Sequence, residues 1–181
     1  FPNKRRKDTD PLIDNNQGLE NPYLQGGYLA EIDKFDARYF RISPKEAQLM
    51  DPHQRLFLEI AMEAVENGGY GGERLQGSRT GLYVGRDFSE GSLYKEMMTE
   101  PNPLAVTGLA TSILASRLAY ILDLQGPAMM IDTACSSSLV AIHLACQAIQ
   151  KGDCNQAIAG GISLSLLPTG GVGVGVDSPD A

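Results

Sequence analysis

Seven residues, Asp132-Thr133-Ala134-Cys135-Ser136-Ser137-Ser138, set a thiol among small polar neighbours where two elements meet. The apolar run Ala128 to Ile131 ahead of them reads as a strand, and roughly Leu139 to Gln150 behind them as a helix. A cysteine at that junction stands clear of the sheet while the helix N-terminus points free N–H groups at it. Orphan amides and the helix dipole favour negative charge there, which suits a thiolate nucleophile. Ala134 and Ser136 leave room for a substrate carbonyl. Three serines can cap the helix, and its N–H groups can bond an oxyanion. The competing reading of a free cysteine is a small buried hydrophobe. That reading suits Cys154, and also Cys146, which shares a helical stripe with Leu139, Ile142 and Ile149.

A nucleophile of this kind wants a base, and the sequence offers none nearby. His143 lies eight residues along the helix, about 12 Å of rise at 1.5 Å per residue, beyond hydrogen-bond reach of Cys135. It packs or caps locally on this reading, and His53 reads as a surface or cap residue. A hydrolase elbow needs glycines two residues either side of its nucleophile, where this chain has Thr133 and Ser137. The alternating Gly171, Gly173 and Gly175 are followed by no helix, so they form no dinucleotide loop.

The elements that must position the thiol alternate in type. Residues 1–27 read as loop, with Lys4-Arg5-Arg6-Lys7 a solvated part of it, and residues 27–32 as a short strand or extended segment. Ser43-Pro44-Lys45-Glu46 has the pattern of a capping box that opens a helix. Asp51-Pro52 repeats the device for a second helix running to about Asn67, where Gly68-Gly69 ends it. Leu56, Phe57, Ile60, Ala61, Ala64 and Val65 give that helix an apolar stripe. Thr80 to Gly85 reads as a buried strand, Thr107 to Leu122 as a helix stopped by Gln125-Gly126-Pro127, and Gln156 to Leu166 as another strand. Residues 86–105 read as irregular or weakly helical. Helices alternating with buried strands imply an α/β layered fold.

Composition narrows the function. The 181 residues carry a net charge of −7, which argues against nucleic acid as a partner. Hydrophobic residues make up 43% and charged ones 20%, a globular balance. Three cysteines without a C-x-x-C pair suggest neither a zinc site nor a disulfide framework, and they fit a reducing cytoplasm. No uncharged apolar stretch is long enough to span a bilayer. Phe1 is not an initiator methionine and the glycine-rich end closes no element, so the chain reads as a piece of something longer.

Asp132 through Ala141 resembles the active-site signature of β-ketoacyl synthases, in the form typical of modular type I polyketide synthases. Three further stretches agree in order. Phe40-Arg41-Ile42-Ser43-Pro44-Lys45-Glu46-Ala47 running into Met50-Asp51-Pro52-His53-Gln54-Arg55-Leu56 is similar to the family's "ISPREA…MDPQQR" segment. Gly77 to Gly85 and Ala159-Gly160-Gly161-Ile162-Ser163 match later strand segments. The resemblance covers about residues 26–168.

It implies a thiolase-like fold, two similar halves stacked as an αβαβα sandwich. Residues 1–181 would be part of the N-terminal half, lacking the opening strand and the C-terminal half. The resemblance makes Cys135 the acyl acceptor, with its backbone N–H an oxyanion-hole donor, for decarboxylative condensation with a malonyl-type extender. The acyl chain would arrive on the phosphopantetheine arm of an acyl carrier protein, with no cofactor or metal bound directly. The family's two histidines, in "HGTGT" and "NIGH" motifs, do not occur here, so the chain alone is expected to be inactive in condensation. Homodimerisation is implied too, with Val106 through Leu122 and the strand at Met129 and Met130 candidates for that interface or for an acyl tunnel, or equally for ordinary core of the layered fold. The implied setting is a multidomain synthase in the cytoplasm. A half-fold would also expose a face that its second half covers, with poor solubility as the result. Three alternatives remain at this point: a non-elongating ketosynthase that only passes acyl chains on, a non-catalytic subdomain kept for carrier-protein or dimer contacts, and a related synthase of fatty acid assembly.

Overall fold

The computed structural model describes residues 2–10, 26–86 and 105–166. The chain divides into two units, Phe1–Ile32 with Leu164–Ala181, and Asp33–Ser163.

In the first unit a short helix, α1 (Asn3–Thr9), stands where the sequence suggested loop. The basic run is solvated only in part: Lys4 and Lys7 are exposed and Arg6 is half-buried. Arg5 is buried, and its guanidinium donates to the carbonyls of Leu29, Ser165 and Leu166 at 3.1, 2.7 and 2.8 Å. These charge-assisted bonds come from residues distant in sequence, so no local pattern announces them. Residues 26–32 are extended or bent and form no strand.

The second unit begins with α2 (Pro44–Leu49), whose N-cap Ser43 accepts from the Glu46 N–H at 3.2 Å. Only half of the expected capping box forms. The Glu46 carboxylate accepts from Arg117 at 2.6 Å instead of turning back to Ser43. Asp51 caps α3 (Pro52–Asn67) by accepting the His53 N–H at 2.8 Å. The buried face of α3 is Phe57, Leu58, Ala61 and Val65, rotated from the expected stripe, and Ile60 is 51% exposed. Gln54 explains the rotation. It is one turn before Leu58 and is held inside by the carbonyls of Thr107, Gly108 and Ala110.

The same bonds split the helix expected over 107–122 into α4 (Ala105–Leu109) and α5 (Ile113–Ile121). The Gly108 carbonyl accepts from Gln54 Nε2 at 2.8 Å and from the Asp51 N–H at 3.0 Å, so it is drawn out of the helical ladder. Gly108 also lets α4 approach closely: an added Cβ would lie 2.5 Å from the Leu49 carbonyl oxygen.

Three parallel strands, β1 (Thr80–Arg86), β2 (Ala128–Ile131) and β3 (Gln156–Ile162), pair in the order β2-β1-β3. β3 ends at Ile162, short of the expected Leu166. Every residue of the central β1 is buried, as parallel strands covered on both faces require. Its side chains alternate between two cores. Leu82 and Val84 pack with Phe57 and Leu58 of α3 and with Leu114 and Leu118 of α5. Tyr83 packs with Ala141, Ala145 and Ala148 of α6 (Ser137–Lys151). Burying Leu82 or Val84 completely contributes roughly 1.5–3 kcal/mol each. No helix among the described residues is long and apolar enough to cross a membrane.

Candidate active site

The cysteine loop owes its shape to the path of α6. β2 and β3 lie on opposite sides of β1, so the helix joining them must cross over the central strand. Glycine permits that crossing. A Cβ on Gly85 of β1 would lie 2.5 Å from the Ser137 carbonyl carbon and 2.6 Å from the Ser138 nitrogen. A Cβ on Gly161 of β3 would lie 2.7 Å from Ser138 Cβ. The first turn of α6 therefore rests on bare backbone at the C-terminal ends of two strands.

The loop itself turns sharply. Ala134 adopts a left-handed conformation with φ +53°, a state that costs an L-residue about 1–2 kcal/mol. Its N–H donates to Asp132 Oδ1 at 3.0 Å. The serines hold the loop instead of capping the helix, contrary to the sequence reading. Ser137 Oγ donates to the Ala134 carbonyl at 2.7 Å and accepts from the Thr133 N–H at 2.8 Å. Ser136 Oγ donates to the Thr133 carbonyl at 2.7 Å, and as N-cap it makes no side-chain bond to α6. The Ser137 N–H donates to the Ala134 carbonyl at 3.0 Å, so the serine side chains leave only the next N–H groups of the first turn uncapped.

Cys135 follows Ala134 and is exposed. Its N–H has no acceptor among the described residues. Cys135 lines a cleft of about 300 Å³ together with Gly85, Arg86, Ala134, Ser137, Ser138, Gly161, Ile162 and Ser163.

The two histidines stay away from this cleft. His143 is exposed on α6, where its Nε2 lies 2.9 Å from Gln147 Nε2. His53 is neither a surface residue nor the cap: it is 1% exposed, and its Nδ1 lies 2.7 Å from Asp51 Oδ1. Asp51 Oδ2 in turn accepts from Arg86 Nη2 at 2.6 Å. Burial opposes charge on Asp51. The hydrogen bond and charge of His53, with the Arg86 guanidinium, outweigh it and hold the carboxyl below the usual carboxylate range. This buried trio was missed in the sequence, although an arginine ending the apolar run Gly81 to Gly85 was a signal for it.

Of the other cysteines, Cys154 is buried as expected, but Cys146 is exposed. α6 faces the sheet with Ala141, Ala145 and Ala148, while Leu139, Ile142 and Ile149 point outward at 71%, 47% and 43% exposure. The glycine-rich stretch of residues 170–176 and the segment 87–104 lie outside the described residues.

The model of the β-ketoacyl synthase N-terminal domain matches residues 1–176. The chain belongs to the β-ketoacyl synthase family. It is 50% identical over 144 residues to a phenolphthiocerol/phthiocerol polyketide synthase of Mycobacterium tuberculosis, covering 79% of the chain and 8% of that protein. It is 43% identical over 175 residues to the pikromycin polyketide synthase component PikAII of Streptomyces venezuelae, covering 93% and 5%. Among solved structures, a ketosynthase from module 6 of the bacillaene synthase of Bacillus subtilis superposes with a TM-score of 0.65 at 41% identity, over 78% of the chain and 24% of that domain. An oxazolomycin ketosynthase domain from Streptomyces albus superposes with a TM-score of 0.69 at 32% identity, over 86% and 28%. The relatives are modular polyketide synthases and the structural neighbours are ketosynthase domains, so the fold is thiolase-like. The chain spans under a tenth of those synthases and about a quarter of the solved ketosynthases.

Proposed function

We propose that this ketosynthase chain accepts acyl groups on Cys135. The observation that carries the reading is the placement of that thiol: exposed in the cleft, one residue after left-handed Ala134 and two before the first residue of α6. In the reaction, the Cys135 thiolate attacks the carbonyl of an acyl thioester, and the Cys135 N–H stabilises the resulting oxyanion. The new C–S bond to Cys135 forms, the C–S bond to the carrier breaks, and the departing thiolate takes up a proton. The acyl donor on this reading is the phosphopantetheine arm of an acyl carrier protein within a multidomain synthase.

The second half-reaction, decarboxylation of a malonyl-type extender and attack of its carbanion on the acyl-cysteine, needs groups beyond these. The sequence holds two histidines, one bound to Asp51 beneath the sheet and one exposed down α6. Condensation therefore requires residues that the 181 do not supply. α6 agrees with this reading, because a helix apolar on both sides belongs between two layers. Val106, Tyr120 and Met129, at 64%, 87% and 44% exposure, are the residues proposed to meet a second copy.

The test is to expose the complete ketosynthase domain to butyryl N-acetylcysteamine thioester and to map the adduct by mass spectrometry. The expected result is one butyryl group on Cys135, lost in Cys135→Ala, with none on Cys146. Labelling elsewhere, or none at all, sinks the proposal.

A further inference from the structure

The acyl-transfer reading leaves one buried group unused at the edge of the cleft. Arg86 ends β1 and, by the alternation of that strand, turns its side chain away from α6 toward the face occupied by Leu82 and Val84. The side chain is wholly buried, and its Nη2 meets Asp51 Oδ2 at 2.6 Å. Its Nε and Nη1 find no acceptor among the described residues. Asp51 is a meeting point of three elements. It holds β1 through Arg86, caps α3 through the His53 N–H, and donates its own N–H to the Gly108 carbonyl of α4.

Stability alone does not account for such a pair. Desolvation offsets the attraction between buried charges, and an apolar isostere serves as well or better. The two unpartnered nitrogens add a further penalty. A strand end that only had to be buried could carry leucine or valine, as positions 82 and 84 do. What the guanidinium adds is direction, since its planar fork meets a carboxylate in a narrow set of geometries. The strand end so fixed includes Gly85, on which the first turn of α6 rests.

We propose that Arg86 is a positioning residue for acyl transfer: its ion pair with Asp51 sets the end of β1, and through Gly85 the seat of α6 that presents Cys135 to a thioester. The inference rests on Cys135 being the acyl acceptor. The pair acts on geometry, so it matters for a reaction that needs a carbonyl aligned with thiol and oxyanion donor. It matters little for alkylation by a small reagent.

The experiment uses the complete ketosynthase domain, with Arg86→Lys and the double variant Asp51→Asn/Arg86→Met. Asparagine still caps α3, so the double variant removes the charges without removing the cap. Rates of Cys135 acylation by butyryl N-acetylcysteamine thioester and of alkylation by iodoacetamide are compared, beside thermal melts. The expected result is a cooperative melt in the double variant, acylation slowed about tenfold or more, and alkylation changed by less than about twofold, with Arg86→Lys intermediate. Acylation at the parent rate in a folded double variant overturns the proposal. So do acylation and alkylation falling by the same factor, or failure of both variants to fold, since the pair would then hold the fold and not the cleft. Absence of Cys135 acylation in the unmodified domain instead removes the reading on which the proposal rests.

Discussion

Gly85→Ala puts the seat of α6 under direct test. The added methyl would lie 2.5 Å from the Ser137 carbonyl carbon, 2.6 Å from the Ser138 nitrogen and 2.7 Å from the Ser137 oxygen. Relaxed carbon contacts sit at about 3.5–4.0 Å, so the first turn must retreat by about 1 Å. All three atoms are backbone, and no rotamer change relieves them. The retreat is passed on, because Ser137 Oγ is bonded to both Thr133 and Ala134, the residues leading into Cys135. Overpacking of this kind costs roughly 1–3 kcal/mol of stability. A 1 Å misplacement of a reacting group can cost about 100-fold in rate, or about 2.7 kcal/mol of barrier.

The neighbouring glycines supply the controls. A Cβ on Gly160 meets nothing closer than Phe57 Cε2 at 3.9 Å, so Gly160→Ala is expected to be neutral, or stabilising by about 0.4–1 kcal/mol. Gly161→Ala collides with the Ser138 side chain at 2.7 Å, and adding Ser138→Gly should restore it. The assay is acylation of Cys135 in the complete domain by a butyryl thioester, followed by intact mass beside a thermal melt. The expected order of damage is Gly85→Ala, then Gly161→Ala, then Gly160→Ala. If Gly85→Ala acylates within about twofold of the parent and melts with it, the crossing of α6 over bare β1 does not govern the cysteine.

Ala134→Gly removes the strain of φ +53° and should stabilise the domain by about 1 kcal/mol, while slower acylation would reveal a loosened loop. Asp51 gives an acid dependence. Its folded pKa lies below the unfolded one, so its stabilisation is present above about pH 4 and is lost as pH falls through the folded value. Urea midpoints measured from pH 5 to 2 should therefore fall less steeply in Asp51→Asn, and equal slopes would count against the ion pair. Cys146 is exposed in this chain. Iodoacetamide should label it here and spare it in the complete domain, where equal labelling of Cys135 and Cys146 would refute a second covering of α6.

The setting of Cys135 between strand and helix was legible because its signals are local. A strand, a cysteine among small residues and a helix follow one another within about 25 residues, and Asp51-Pro52 announces its own cap. Signals that depend on distant partners were not legible. Arg5 in a basic run looks solvated until carbonyls of Leu29, Ser165 and Leu166 surround it. Residues 107–122 look like one helix until Gln54 draws out the carbonyls at their start. Three serines after a cysteine look like caps, yet two of them bond backward to Thr133 and Ala134. The periodicity of α6 was visible in its leucine and isoleucines, but the pattern does not say which side meets the sheet. The alanines do, because only small side chains allow a helix to lie so near β1.

That choice ties the two peculiarities of α6 together. A helix seated on Gly85 and Gly161 comes too close to the sheet for large side chains beneath it, so Ala141, Ala145 and Ala148 form its inner face. Its larger apolar groups, Leu139, Ile142 and Ile149, must then lie outward, where they offer a second apolar face. Covering that face would exclude water along the length of α6 and lower the dielectric around its N-terminus, where Cys135 sits. Charge–dipole interactions strengthen as screening falls. The depth of the seat that presents the thiol and the apolar stripe left outward are therefore two consequences of one crossing geometry, and a cover on that stripe would act on the same sulfur.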